Sequence, residues 1–114
     1  MYGLPGQTLI ELEATLERAV ELGPDRIALF GYAHVPHMLP RQRRIDATAL
    51  PDQTERFAMA EFGYRLLTSA GYVAIGFDHF AKPGDPMARA LEQGRLHRNF
   101  QGFTDDPAKV LVGL

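Results

Sequence analysis

RIALFGYAHVPHM, residues 26–38, starts as an apolar run and turns polar within a few positions. From Ile27 to Phe30 both faces of an extended chain are apolar. That pattern suits a parallel strand covered on each side, not a strand with one wet face. The polar end that follows, with Tyr32, His34 and His37, is what α/β sheets and barrels place at strand carboxyl ends, where they meet ligands. His34 and His37 are three apart, a spacing that would put both on one face of a helix, but Pro36 disfavours helix there. With no carboxylate near them in sequence, they read as polar residues lining a strand end, and no metal ligand is assigned.

Working outward, a helix precedes the strand. Thr8 and Glu11 have the spacing of a capping box, Leu9, Leu12, Leu16 and Ala19 or Val20 recur at helical spacing, and Gly23 with Pro24 stops the run. Ahead of the helix, YGLPGQT (2–8) is a strand-to-helix turn with almost no strand before it, so the chain reads as a fragment or a frame started late. Gly3 and Gly6 lack the spacing of a dinucleotide or phosphate-loop fingerprint.

After residue 33 the chain is expected to be irregular through three prolines and the basic run Arg41, Arg43 and Arg44, which reads as a solvated loop. A second helix is capped by Asp52 with Glu55, carries Phe57, Ala60, Tyr64 and Leu67 as its apolar stripe, and ends at Gly71. YVAIGF (72–77) reads as a strand finishing at Asp78, His79 and Phe80. Asp85 and Pro86 start a brief third helix that Gly94 stops. LHRNFQGF (96–103) alternates apolar and polar side chains and reads as one half-wet strand, while VLVGL (110–114) has the composition of another strand's beginning.

Composition bounds what such a chain can be. With 114 residues it is one domain at most, and 46% hydrophobic with 23% charged content argues for a folded core and against disorder. A net charge of −2 gives no basic field for nucleic acid, and no apolar run has the length of a membrane span. Cys is 0, which removes disulfides and thiolate metal sites from these residues. The plain reading is a soluble cytoplasmic protein with neither nucleic acid nor membrane as partner.

Two groups carry open readings. Asp78 and His79 resemble an acid beside a base, but neighbouring residues on a strand point to opposite faces, so no hydrogen-bonded dyad is expected. His79 is then either a single site residue at a strand end or a rim histidine without a chemical role. His97, Asn99 and Gln101 would share one face and Leu96, Arg98 and Phe100 the other, as a ligand-facing row or, slightly favoured by pattern, a solvated edge strand.

YGLPGQT, PDR (24–26), FGYAHVP (30–36), QRRI (42–45), GYVAIGFDHFAKP (71–83) and LHRNFQGFT (96–104) occur here in one order. In this the chain resembles, through essentially all 114 residues, the oxygen-independent coproporphyrinogen III oxidases, or coproporphyrinogen dehydrogenases, of the radical S-adenosylmethionine enzymes. The resemblance implies an incomplete (β/α) barrel. This chain would supply its C-terminal part over about 1–50 and the following α/β segment over about 51–114, as a single partial domain. It implies oxidative decarboxylation of two propionates of coproporphyrinogen III to vinyl groups, giving protoporphyrinogen IX in haem biosynthesis. It also implies S-adenosylmethionine, one four-iron four-sulfur cluster held by a CxxxCxxC motif that this chain lacks, an electron donor and a monomeric parent.

On the same grounds Ala33 falls on a position that contacts S-adenosylmethionine, with Tyr32 and His34 as its neighbours. Arg43, His79 and Arg98 are substrate candidates, since a tetracarboxylate needs positive partners. No residue of this chain is assigned to catalysis, so the piece alone is expected to be inactive. Phe103 stands where the family commonly has Tyr, and Val110 where an acidic residue is usual. The alternatives are the haem chaperone branch, which shares the YGLPGQT turn, and an inert truncated module.

Overall fold

In the computed structural model, residues 1–99, 101–110 and 112 are described. Helix α1 (Leu9–Leu22) begins as its sequence dictates: Thr8 Oγ1 accepts from the Glu11 N–H at 3.3 Å and Glu11 returns a carboxylate to the Thr8 N–H at 2.8 Å. Gly23, at φ +64°, closes it by donating to the Val20 carbonyl. Leu12 and Leu16 are its buried face.

Strand β1 (Arg26–Ala28) corrects the expectation of a parallel strand covered on both faces. It pairs antiparallel with β3 (His79–Ala81), which also pairs antiparallel with β2 (Val73–Ile75), giving the order β1-β3-β2. Only one face is covered. Ile27 and Leu29 turn toward the core, while Ala28 and Phe30 stay exposed, Phe30 at 41%. The parallel pairing survives just beyond β1, where Tyr2 bridges Gly31: the Tyr2 N–H donates to the Phe30 carbonyl at 2.9 Å and the Tyr32 N–H to the Tyr2 carbonyl at 2.8 Å. One apolar run thus serves two partners in opposite senses.

Helix α2 (Gln53–Ser69) has its capping box between Asp52 and Glu55 as expected. Its buried stripe is Met59, Gly63 and Leu67, spaced by four; of the expected Phe57, Ala60, Tyr64 and Leu67, Leu67 belongs to it and the other three do not. Phe57 is 71% exposed, and Tyr64 lies half out, edge-on to Phe80. The reason is Gly63. A Cβ there would overlap Leu29 Cδ2, so this is where the helix comes closest to β1, and a glycine carries no weight in an apolar count. Leu12, Leu16, Leu29, Met59, Leu67, Tyr72 and Phe80 form the main core, and the Tyr72 hydroxyl reaches the Pro24 carbonyl at 2.7 Å.

Two runs expected as single strands are hairpins. Residues 73–81 fold back through a turn at 76–78 whose Gly76 has φ +65°, and residues 97–104 form β4 (His97–Asn99) and β5 (Gly102–Thr104). Gln101 therefore lies in the connection, its N–H donating to Asn99 Oδ1, and all three residues of β4 are exposed. Phe100 lies outside the described residues, as do Leu111, Gly113 and Leu114 of the expected terminal strand; Val110 and Val112 are exposed and in no strand. The loop after residue 38 is more regular than expected, with short 3-10 turns at Pro40–Arg44 and Ala47–Ala49.

Helix α3 (Pro86–Glu92) has Asp85 as N-cap, accepting from the Met87 N–H, with Pro86 in its first turn. The Asp85 side chain, 7% exposed, also takes both oxygens to Arg26 Nε at 2.9 and 3.0 Å, and Arg26 reaches Asp105 at 3.0 Å. Burial works to raise the Asp85 pKa, but the Arg26 and Met87 donors outweigh it and hold the carboxyl below its usual range.

Candidate functional site

The end of the run 26–38 is held by one side chain. Gln42, from the 3-10 turn, donates Nε2–H to the Ala33 carbonyl at 2.9 Å and accepts the Val35 N–H on Oε1 at 2.6 Å. An amide can substitute for a neighbouring strand in this way because it carries one donor edge and one acceptor edge. Ala33 itself is exposed, with a small side chain and an N–H that meets no partner among the described residues. Tyr32 and His34 lie to either side, the tyrosine hydroxyl and His34 Nδ1 sharing a hydrogen bond at 3.1 Å. Arg43 follows, its Nε 3.4 Å from the Pro36 carbonyl, and it is exposed. Arg56, in the first turn of α2, lies across the same strand ends. A Cβ on Gly31 would come within 3.1 Å of both Arg56 Nη2 and the Tyr2 hydroxyl.

The second half of the site is the turn of the first hairpin. Asp78 Oδ1 and His79 Nδ1 are 2.6 Å apart, so the two do form a dyad, against the sequence expectation. The strand rule fails because Asp78 belongs to the turn and only His79 to β3. In the neutral imidazole, a hydrogen bond donated by Nδ1–H to this carboxylate leaves Nε2 as the bare nitrogen. His79, 17% exposed in its side chain, has Phe30 edge-on at 5.7 Å and Phe103 edge-on at 6.2 Å. Arg98 is next in the row, with its guanidinium carbon 5.3 Å from the Phe103 centroid. It also lines an open cleft of about 720 Å³ together with His97, Asn99, Thr104, Asp106 and Lys109.

Of the six residues singled out by sequence, the structure joins Tyr32, Ala33 and His34 at one strand end, and His79 with Arg98 through Phe103. Arg43 stands beside the first group by way of Pro36. Phe30, in the row that starts at His79, is two residues from Tyr32 along the chain. Sequence reasoning missed Gln42, Arg56 and Phe103. Gln42 sits in QRRI without any periodic signal, Arg56 reads as an ordinary solvated helix residue, and Phe103 reads as one apolar position in a strand. The chemistry on offer is recognition: cationic and aromatic groups suited to carboxylates, and a strand end whose Ala33 N–H has no partner among the described residues. Among the described residues no cluster of His, Cys, Asp or Glu has the makings of a metal site, and no helix is long and apolar enough to cross a membrane.

No protein-family model matches the chain. Curated relatives do. The oxygen-independent coproporphyrinogen III oxidase of Cereibacter sphaeroides is 49% identical over 114 residues, all of this chain and 25% of that protein. The enzyme of the same name from Paracoccus denitrificans is 51% identical over the same span, again 25% of its length. Among solved structures, the coproporphyrinogen III oxidase of Escherichia coli, described as a radical SAM enzyme, superposes with a TM-score of 0.87 at 44% identity. That match covers 93% of this chain and 24% of the other. The chain thus spans about a quarter of the length of the relatives it matches.

Proposed function

We propose that this chain is a segment of an oxygen-independent coproporphyrinogen III oxidase. The whole protein would convert two propionates of coproporphyrinogen III to vinyl groups, giving protoporphyrinogen IX in haem biosynthesis, in the cytoplasm and as a monomer served by an electron donor. The observation that carries the reading is the match over the whole chain: 114 residues align at 49% identity with an enzyme of that name. The superposition on a radical SAM enzyme supports the same fold, with residues about 1–50 as the C-terminal part of an incomplete (β/α) barrel and about 51–114 as the segment that follows. A single unit is supported by the main core, which draws Leu12, Leu16 and Leu29 from the first part and Met59, Leu67 and Phe80 from the second.

The exposed face of β1 and its continuation, with Ala28 and Phe30, would line the barrel interior. The residues at that strand end fit S-adenosylmethionine: Ala33 has a side chain too small to block a planar base, and its N–H is open while Gln42 already holds its carbonyl. Tyr32 and His34 would flank the cofactor. When bound, S-adenosylmethionine supplies the hydrogen-abstraction chemistry. The iron–sulfur cluster does not fit here, since Cys is 0 and its thiolate ligands would have to come from elsewhere in the parent. This chain's own part is to bind and orient. Arg98 and Arg43 would meet propionates through the planar guanidinium fork, with His79 beside them.

The full-length coding sequence tests the assignment. A CxxxCxxC motif in frame, upstream of Met1, is expected, together with iron–sulfur absorption in the anaerobically reconstituted full-length protein. A full-length chain without that motif would refute it.

A further inference from the structure

The two hairpins are joined by a reciprocal arrangement of rings and glycines. Phe103 of β5 lies on Gly76 in the turn of the first hairpin, where φ is +65° and a Cβ would overlap the ring. His79 of β3 lies on Gly102 of the second hairpin, where φ is +134° and a Cβ would come within 2.9 Å of Cε1. Each hairpin therefore offers one ring and one bare backbone seat, and the two rings meet edge-on at an interplanar angle of 87°. A side chain at either glycine would be strained in backbone and excluded in space. The ring of Phe103 is thus held between Gly76, which lies against its Cε2 side, and His79, which stands at right angles to it.

Arg98 lies over that ring. Arg98 and Phe103 are cross-strand partners in the β4–β5 ladder, and the guanidinium carbon sits 5.3 Å from the ring centroid. A free arginine side chain carries rotamer entropy that a carboxylate ligand must overcome. Stacking on an aromatic face restrains the guanidinium in advance while leaving its N–H edges open for a bidentate carboxylate. Arg98 has no carboxylate partner among the described residues.

We propose that Phe103 is a positioning residue for Arg98, its ring seated on Gly76 so that the guanidinium is presented to a substrate carboxylate. The functional sense rests on the reading of Arg98 as a propionate partner. The placement of Arg98 does not.

The test uses the full-length protein and two readouts. The first is the rate at which phenylglyoxal modifies Arg98, followed by peptide mass spectrometry. The second is KM for coproporphyrinogen III. Phe103→Leu and Phe103→Met remove the aromatic face, the Met variant keeping bulk over Gly76 in case the Leu variant is unstable, and Phe103→Tyr restores the face. Both aliphatic variants should speed Arg98 modification and raise KM by about two- to five-fold with kcat nearly unchanged, the worth of a cation–π contact on an exposed guanidinium. Phe103→Tyr should behave as the parent, and in an Arg98→Ala background the Phe103 variants should have no further effect on KM. An Arg98 modification rate unmoved by either aliphatic variant overturns the proposal, as does an equal KM effect without Arg98. A faster modification rate combined with a KM indifferent to Arg98→Ala upholds the positioning and refutes the propionate reading instead.

Discussion

Gly63→Ala should show that the close approach of α2 to β1 is a packing constraint. On an exposed helix face this change would stabilise by about 1 kcal/mol, because alanine has the higher helix propensity. At Gly63 the new methyl would overlap Leu29 Cδ2 and lie 3.5 Å from Leu16 Cδ1. Leu29 is buried in the main core and cannot swing into solvent. Overpacking of this kind costs about 1–3 kcal/mol, so the gain is cancelled or reversed and the variant ends neutral to about 2 kcal/mol less stable. Leu29→Ala alone should cost about 2–5 kcal/mol. In the double variant the added methyl fills part of the space that Leu29 vacates, so the two changes should cost at least about 1 kcal/mol less together than their sum. Urea unfolding followed by far-ultraviolet circular dichroism, repeated at two protein concentrations to exclude association, measures all three. Stabilisation by Gly63→Ala, or additivity within about 0.5 kcal/mol, would refute the reasoning. The consequence reaches the site, since the Leu29 N–H donates to the Asp78 carbonyl beside His79 and Leu29 leads directly into Phe30.

Other outcomes follow from the same contacts. Asp85→Asn keeps a capping oxygen but loses the charge facing Arg26, and should cost about 1–2 kcal/mol, reduced from a buried pair because Arg26 is half exposed; Asp85→Ala should lose about 1 kcal/mol more with the cap. Because the folded Asp85 pKa is depressed, its contribution is present above the unfolded value and fades as pH falls below about 4, so Asp85→Asn should flatten the acid limb of a stability–pH profile. In the full-length protein Ala33→Gly should bind S-adenosylmethionine nearly normally and Ala33→Trp weakly by calorimetry, and equal affinity for the Trp variant would remove Ala33 from the pocket. Arg98→Lys and Arg43→Lys keep charge but lose the fork, and should weaken coproporphyrinogen III binding; no change from either would make both arginines structural.

Local signals were the legible part of this fold. Both capping boxes and the Asp85 cap form as read, because each depends on residues three or fewer positions apart. Pairing partners were not legible. The run 26–33 pairs with β3 over its first part and with Tyr2 at its far end, and nothing within the run distinguishes antiparallel from parallel neighbours. The two hairpins were hidden by their turns: the turn at 76–78 carries an exposed Phe77 at its centre, and a glycine within an apolar run reads as strand until its positive φ is known. The site was legible by residue type and not by relation. His79, Arg98 and Ala33 stand out alone, whereas the dyad with Asp78 and the seat of Phe103 on Gly76 exist only once the hairpins fold.

The most direct measurement of the central claim is anaerobic turnover by the full-length protein that contains this chain. With its cluster reconstituted, a reductant and S-adenosylmethionine, it should convert coproporphyrinogen III to protoporphyrinogen IX and form deoxyadenosine. The 114-residue chain treated alike should show no cluster absorption and no deoxyadenosine, since it has 0 cysteines. A full-length protein that binds haem but leaves coproporphyrinogen III unchanged, or deoxyadenosine released by the 114-residue chain alone, would contradict the account.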